Sequence, residues 1–308
     1  MLRMLMLQAV CSFFLTFLIS KVLLSVCTKS KVAIKPELAR THAAKQGTPV
    51  VGGLAFGIGF ILTNLMLSDL RDYLVLLPMI ALTLFLLVGF LDDLQKQKTK
   101  NGDGLSSKTK LLLQFSSAAL IVFLAKQWSL LDSNVSFFRF SWDLGYLYPV
   151  FAVFYVLYFV NAVNITDGLD ALASGASLPV LLLLVLLSQR FGTAMIGSLL
   201  AFLYFNRSPA KYFMGDAGSH ALGGYIGICA LLINAEVVFV VASGLFLLEL
   251  SSSLIQIVSI RGFQKKVFTI APLHHAYELK GIKEEKIVAS CIAASWLFAS
   301  LALLLSKK

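Results

Sequence analysis

Three aspartates of the chain stand where long apolar stretches end or begin. Asp92 and Asp93 are adjacent and close one apolar stretch, whereas Asp216 lies between Gly215 and Gly218 just ahead of another. Carboxylates at such a boundary are costly unless they are solvated, paired with a cation or bound to a metal. In magnesium-assisted phosphoryl transfer, one carboxylate binds the metal and another orients or deprotonates the attacking group. The pattern indicates this chemistry, and a solvated helix end or a simple turn is the alternative.

A second acidic group lies between two further apolar stretches. Asp167 and Asp170 follow Asn161 and Asn164 in a segment that contains no lysine or arginine. A helix beginning at Asp167 would carry both carboxylates on one face, because residues three apart are neighbours on a helix. Two carboxylates without a basic partner nearby in sequence indicate a functional site, while a helix N-cap is the alternative for Asp167 alone.

Two basic segments could receive an anion. Lys45 precedes a Gly-Thr-Pro turn and the pair Gly52 and Gly53, so a helix start with free N–H groups would lie beside a lysine, an arrangement that suits phosphate. His274 and His275 stand in a segment rich in lysine, where neighbouring imidazoles can bind phosphate or donate protons near neutral pH. A packed helix start and a structural histidine pair are the alternatives.

The elements that must position these groups are membrane-spanning helices. The 308 residues are 58% hydrophobic and only 14% charged, against about 25% charged in soluble domains. Repeated apolar runs are long enough to cross a hydrocarbon core of about 30 Å as helices. We expect one all-α, polytopic membrane domain covering 1–308. Its ten spans are predicted near 4–26, 49–68, 73–91, 109–127, 146–163, 171–188, 193–206, 218–233, 237–260 and 286–305.

The distribution of charge predicts the orientation of these spans. Loops after odd-numbered spans carry eighteen of the 26 lysines and arginines, and basic loops stay in the cytoplasm. Both termini are therefore expected outside, and every polar group described above falls at the cytoplasmic face, where a soluble charged substrate could meet a lipid. The net charge of +10 reports topology rather than nucleic-acid binding. The four cysteines are scattered without metal-binding spacing, which favours buried thiols.

Taken together, the motifs resemble the polyprenyl-phosphate N-acetylhexosamine-1-phosphate transferase superfamily, and most closely its peptidoglycan branch. The resemblance runs in order from about His42 to Gly281. The motifs that carry it are Lys45-Gln-Gly-Thr-Pro with Gly52-Gly53, Leu91-Asp92-Asp93, Asn164-Ile-Thr-Asp167-Gly-Leu-Asp170, Phe213-Met-Gly-Asp216-Ala-Gly-Ser219 and Ala271-Pro-Leu-His274-His275.

The resemblance implies a ten-helix fold with a cytoplasmic cleft in the bacterial cytoplasmic membrane. It implies transfer of phospho-N-acetylmuramoyl-pentapeptide from its UDP donor to undecaprenyl phosphate, with Mg²⁺ as cofactor and release of UMP, and it leaves a homodimer open. The catalytic residues it implies are Asp92, Asp93, Asp216, His274 and His275, with Asp216 as metal ligand. The substrate-binding residues it implies are Lys45, Asn164, Asp167, Asp170, Asn206, Phe213 and Gln256.

Two alternatives and three departures accompany this interpretation. An N-acetylglucosamine-1-phosphate transferase of the same superfamily is the first alternative. A transporter is the second, since charges within spans often mark a pathway, although here only Glu249 lies deep within a span. The family's third consecutive histidine is Ala276 in this chain, its Thr-Met after the turn is Val50-Val51, and a glycine after Asp170 is Ala171. None of these departures removes a carboxylate.

Overall fold

The structure is a computed structural model that describes residues 2–27, 45, 47–99, 102–137 and 140–306. His42, Gln46 and the basic residues of 28–44 lie outside the described residues. The helices of the described part, numbered α1 to α12 in chain order, are Leu2–Val26, Gly52–Leu67, Tyr73–Lys98, Ser107–Gln127, Tyr148–Thr166, Leu172–Ser188, Thr193–Asn206, Gly215–Leu232, Glu236–Ala242, Gly244–Phe263, Leu273–Leu279 and Glu284–Ser306.

The all-α membrane fold expected from composition is confirmed. Six of the helices within the described ranges are long and apolar enough to cross a membrane, and α2, α6 and α7 are shorter apolar helices. Each of the first eight predicted spans coincides with one helix, and the tenth coincides with α12. Outer helices expose apolar side chains, such as Phe14 and Leu18 of α1, because lipid rather than water surrounds them.

Two local features differ from a plain series of spans. The ninth predicted span is two helices, because α9 ends at Ala242 and α10 begins at Gly244 after a break at Ser243. A short antiparallel hairpin of β1 (Asn134–Phe137) and β2 (Phe140–Asp143) connects α4 to α5. The hairpin is the one sheet in the described part of the chain.

Helix α8 is the centre of the bundle. Every residue from Ala217 to Leu231 is buried, and α8 packs most extensively against α3 and α5. Glycines permit this close packing: a Cβ on Gly224 would lie 2.2 Å from the ring of Phe85, and a Cβ on Gly223 would lie 2.4 Å from the backbone oxygen of Phe159. The N-terminus of α8 is therefore fixed between the ends of α3 and α5.

Helix α1 is joined to this core by a polar stripe. Ser12, Thr16 and Ser20 recur every four residues and are fully buried, so they share one helix face. The hydroxyl of Ser12 lies 2.5 Å from that of Ser198 on α7, and the hydroxyl of Ser20 lies 2.9 Å from that of Tyr212. These bonds satisfy the polar groups that would otherwise be exposed to an apolar medium.

Candidate active site

The three aspartates at the span boundaries meet at one point. Asp92 and Asp93, which are 2% and 4% exposed, lie near the C-terminal end of α3, and Asp216 lies in the first turn of α8. One side-chain oxygen of each lies within 4.8 Å of the others. The two helices approach closely because Gly89 has no side chain, and a Cβ there would lie 2.1 Å from the backbone oxygen of Asp216.

Asp93 holds the N-terminus of α8. Its Oδ1 accepts a hydrogen bond from the backbone N–H of Asp216 at 3.2 Å, and its Oδ2 accepts one from the N–H of Ala217 at 2.9 Å. A carboxylate there satisfies N–H groups that have no partner within the helix and complements the positive end of the helix dipole. Asp93 is therefore engaged with the backbone, although the sequence groups it with Asp92.

Two lysines bridge the other carboxylates. Lys96 Nζ lies 2.8 Å from Asp92 Oδ2 and 2.9 Å from Asp216 Oδ1, and 3.6 Å from Asp93 Oδ1. Lys110, from α4, forms an ion pair with Asp216 Oδ2 and lies 3.7 Å from Asp92 Oδ2. In the sequence, both lysines indicate only the topology of the spans. The spacing of Lys96 from the aspartates, three and four residues, is the signal that could have identified it.

Neighbouring donors fix the orientation of the carboxylates. Asn164 of α5 donates from Nδ2 to Asp216 Oδ1 at 3.1 Å and to the hydroxyl of Ser219 at 2.9 Å. The N–H of Leu105 donates to Asp92 Oδ1 at 2.8 Å. Residues from α3, α4, α5 and α8 thus converge on the same few oxygens, which preorganises them for a polar ligand.

The cluster fits the magnesium ion that the resemblance implies. Carboxylate oxygens are the ligands that Mg²⁺ prefers, in a site completed by water and substrate phosphates. Because Asp93 gives both oxygens to the backbone of α8, Asp92 and Asp216 offer the better-placed donors. The Lys96 ammonium group contacts oxygens of both residues. The two carboxylates therefore stabilise a positive charge at the position where the metal ion would bind.

Asp167 and Asp170 lie in the turn between α5 and α6. The helix that would have begun at Asp167 begins instead at Leu172, so the two carboxylates are not neighbours on a helix face. Asp167 is half-buried. Burial first, and then the charges of Asp216 and Asp93, raise its pKa well above the ordinary value. The Asp167 carboxyl group therefore interacts electrostatically with the aspartate cluster, from the end of α5.

Lys45 and Asp170 form a second centre with Glu284. Lys45 Nζ lies 2.9 Å from Asp170 Oδ1 and 2.6 Å from Glu284 Oε1, and the N–H of Asp170 donates to the same Glu284 oxygen at 2.8 Å. Burial opposes the lysine charge, but the two carboxylates outweigh it and raise the pKa of Lys45. Glu284, at the start of α12, was not singled out from the sequence, because nothing local links it to residue 45.

Asn206 and Phe213 fix the backbone around this second centre. Asn206 accepts from the N–H of Ala171 at 2.9 Å and donates to the backbone oxygen of Tyr212 at 2.9 Å. The backbone of Phe213 donates to Pro49 at 2.8 Å and accepts from Gly52 at 2.9 Å. The segment 49–53 therefore lies alongside 212–214 and is fastened to the segment that leads into α8.

The histidine pair lies on the short helix α11. His274 is fully buried, with Nδ1 3.2 Å from Glu249 Oε2 and Nε2 directed at Gly168, where a Cβ would lie 2.2 Å away. His275 Nδ1 lies 2.6 Å from Glu278 Oε2. The pair thus adjoins the turn that holds Asp167, and Glu249, the one deep charge noted in the sequence, is a partner of His274.

Gln256 fastens a separate loop. Its Oε1 accepts from the N–H groups of Val267 and Phe268 at 3.0 and 2.9 Å, and its Nε2 donates to the oxygen of Phe268 at 2.8 Å. The structure therefore brings the sequence-predicted residues into two adjoining centres and a histidine helix, and it places Gln256 on a neighbouring loop with its amide engaged by backbone.

Comparison with known proteins identifies the family. Residues 75–234 match glycosyl transferase family 4. This range contains the aspartate cluster and both bridging lysines.

Several relatives bear one name, phospho-N-acetylmuramoyl-pentapeptide-transferase. That of Oleidesulfovibrio alaskensis is 38% identical over 85% of this chain and 81% of its own. That of Caldanaerobacter subterraneus is 35% identical over 89% and 87%, and that of Bacillus subtilis is 34% identical over 94% of each. Because identity of this level extends across the aspartate cluster, the turn at Asp167 and most of the bundle, the chain belongs to the phospho-N-acetylmuramoyl-pentapeptide-transferase family.

Proposed function

We propose that the chain transfers phospho-N-acetylmuramoyl-pentapeptide from its UDP donor to undecaprenyl phosphate, forming a lipid-linked peptidoglycan precursor and UMP. The observation that carries the proposal is the partly buried cluster of Asp92, Asp216, Lys96 and Lys110 in a chain of this family. Its groups suit a reaction between two phosphates, in which repulsion between anions is the main barrier.

The reaction joins an oxygen of the lipid phosphate to the sugar-linked phosphorus and breaks the bond from that phosphorus to the oxygen of UMP. The lipid phosphate, with a second pKa of about 6, is largely dianionic at neutral pH, so a strong general base is not needed. Lys96 and Lys110 place positive charge beside both phosphates, and Asp92 orients the attacking group. Mg²⁺ held by Asp216 and Asp92 would supply further charge neutralisation on the diphosphate.

The surrounding residues position the donor. Lys45 stays protonated at neutral pH and supplies positive potential beside the turn at Asp170. Asn164 holds Asp216 in place, while His274 adjoins the turn that contains Asp167. The excess of basic residues in the loops after odd-numbered spans supports a cytoplasmic site in the bacterial cytoplasmic membrane.

One assay tests the proposal. Detergent-purified protein is incubated with undecaprenyl phosphate and either UDP-N-acetylmuramoyl-pentapeptide or UDP-N-acetylglucosamine, and UMP is measured with Mg²⁺ or with EDTA. We expect UMP only with the muramoyl donor and Mg²⁺, and none from Asp92→Asn or Asp216→Ala. The exposed variant Asp132→Asn should match the wild type. UMP release with UDP-N-acetylglucosamine as the only active donor would contradict the proposed substrate. Turnover in EDTA would contradict the requirement for Mg²⁺, and no turnover with either donor would contradict the proposed enzymatic activity.

A further inference from the structure

A cavity of about 650 Å³ lies at the end of the bundle opposite the aspartate cluster. Asn64 and Ser68 line the cavity at the end of α2, whereas the start of α2 contacts Met214, next to the aspartate cluster. Pro78 also lines it near the start of α3, whereas Asp92 lies near the end of α3. Both helices therefore place the cavity and the cluster at opposite ends of the bundle. Ligand-binding pockets usually measure about 300–1,000 Å³, so this cavity has the size of a ligand site.

One wall of the cavity is a row of hydrogen-bonded polar side chains from three helices. The hydroxyl of Thr193 donates to Gln8 Oε1 at 3.3 Å, and Gln8 Nε2 donates to the hydroxyl of Ser68 at 3.1 Å. That hydroxyl donates in turn to Asn64 Oδ1 at 3.1 Å. Polar groups in an apolar medium are costly unless they form hydrogen bonds. This row also offers donors and acceptors to a polar ligand in the cavity.

The cavity has an apolar floor and a charged rim. Phe60 and Tyr225 line it from the core side. At the rim, Arg190 pairs with Asp72 at 2.5 Å, and Asp69 accepts only a backbone hydrogen bond among the described residues. The rim therefore offers one cation and two carboxylates above an apolar interior.

We propose that this cavity binds one phospholipid of the outer leaflet whose headgroup carries both a phosphate and an ammonium group. The ammonium group faces Asp69 and Asp72, the phosphate faces Arg190, and an acyl chain enters towards Phe60. The outer position rests on the proposed topology, whereas the binding itself is measured without the enzymatic reaction.

The test is native mass spectrometry of the delipidated protein in detergent, titrated with phosphatidylethanolamine or phosphatidylglycerol of the same acyl chains. We expect one phosphatidylethanolamine to bind, at least about tenfold more tightly than phosphatidylglycerol. Thr193→Phe, which adds bulk to the cavity wall, should weaken this binding strongly, and Asp69→Asn, which keeps the shape, should weaken it about tenfold. Leu70→Phe introduces a phenylalanine beside Asp69 but outside the cavity lining, and this variant should bind as the wild type.

Two results would overturn the proposal. Unchanged binding by both Thr193→Phe and Asp69→Asn would place the lipid elsewhere, and tighter binding of phosphatidylglycerol would reject the headgroup. UMP release at the other end of the bundle shows whether each variant is folded.

A second inference concerns a polar layer directly behind the aspartate cluster. His220 is fully buried, and its Nε2 lies 2.9 Å from Gln114 Nε2. Gln114 Oε1 accepts from Asn161 at 3.2 Å, which assigns the Gln114 nitrogen as donor and His220 Nε2 as acceptor. The imidazole is therefore neutral, with its proton on Nδ1.

Each member of this layer lies one helical turn from a member of the cluster. His220 follows Asp216 by four residues on α8, Gln114 follows Lys110 by four on α4, and Asn161 precedes Asn164 by three on α5. The layer thus joins the three helices that carry Asp216 and the two groups that contact its carboxylate, the Lys110 ammonium group and the Asn164 amide.

The geometry points to His220 as a positioning residue that acts through Gln114 on the contact between Lys110 and Asp216. In His220→Leu, which is similar in volume, the Gln114 nitrogen loses its acceptor and is buried without one. We expect kcat to fall about tenfold with KM for the UDP donor unchanged, because the reacting geometry and not the nucleotide contact is disturbed.

Two variants separate positioning from packing. His220→Gln restores an acceptor and should recover kcat, whereas Cys229→Ala, a buried change further along α8, should lower Tm without lowering kcat. If His220→Leu does not fold, Gln114→Met removes the same bond from α4 and is expected to lower kcat equally. Wild-type kcat in a folded His220→Leu or Gln114→Met variant, or a loss that His220→Gln fails to recover, would overturn the inference.

Discussion

Asp93→Asn separates a structural from a catalytic carboxylate within the adjacent pair. In the structure both oxygens of Asp93 accept backbone N–H groups of α8, at 3.2 and 2.9 Å, and the residue is 4% exposed. An asparagine keeps one acceptor oxygen and directs an NH₂ group at the second N–H. Loss of a hydrogen bond to a charged group costs about 1.5–3 kcal/mol, and loss of the charge from the helix N-terminus adds up to about 1 kcal/mol.

We therefore expect Asp93→Asn to lower the free energy of unfolding by about 2–4 kcal/mol, which corresponds to a decrease in Tm of about 5 °C or more for a chain of this size. Thermal unfolding in detergent measures this change, and UMP release is assayed below the lowered Tm. Asp132→Asn, an exposed aspartate that accepts a backbone N–H at 3.3 Å, is the matched control and should leave Tm unchanged.

The reasoning is refuted if Asp93→Asn unfolds at the wild-type temperature. Wild-type stability with abolished turnover would show that the carboxylate acts on the reacting groups. Lower stability with turnover retained at low temperature would leave Asp92 and Asp216 as the carboxylates of the reaction.

Gly168→Ala would place a Cβ 2.2 Å from Nε2 of His274, so we expect UMP release to be lost; Gly262→Ala, where nothing lies within 4 Å, should retain it, and an active Gly168→Ala would contradict the placement of His274. Asp167 has a pKa raised by burial and by neighbouring carboxylates, so its ionisation disfavours the fold as pH rises above the unfolded value of about 3.9. Asp167→Asn should therefore raise Tm at pH 8, lose that gain towards pH 4, and reduce turnover; a lower Tm at pH 8 would contradict this. Lys45 has a raised pKa, so its stabilisation is complete below the unfolded value of about 10.4 and is lost as pH rises through the folded value. Lys45→Met should lower Tm at pH 8 by an amount that shrinks as pH rises above about 10.4, and a pH-independent difference would exclude the ion pairs as its cause.

The sequence predicts much of the fold because the local composition of the chain determines where each span lies. The apolar runs and their flanking charges locate nine of the ten predicted spans as single helices. The break at Ser243 was not predicted, because the residues on both sides of it are apolar and only their packing divides α9 from α10.

The candidate site is harder to derive because its roles are assigned by tertiary contacts. Asp92 and Asp93 are indistinguishable as a pair in sequence, yet α3 directs one towards two lysines and the other towards the backbone of α8. The roles of Lys110 and Glu284 depend on ion pairs with residues more than a hundred positions away in the sequence. Asp167 and Asp170 lie three apart, but the intervening turn sends them to different centres.

The cap that Asp93 places on α8 also constrains how the protein can be made. The carboxylate belongs to the third helix, whereas the N–H groups that it accepts lie 123 and 124 residues later. During synthesis the first half of the bundle therefore enters the membrane with Asp93 still lacking the backbone N–H groups that it finally binds, and this carboxylate depends on water or the insertion machinery until α8 arrives. Chains truncated before residue 216 should be degraded by membrane proteases, and two fragments divided at the hairpin of β1 and β2 should accumulate only when they are produced together.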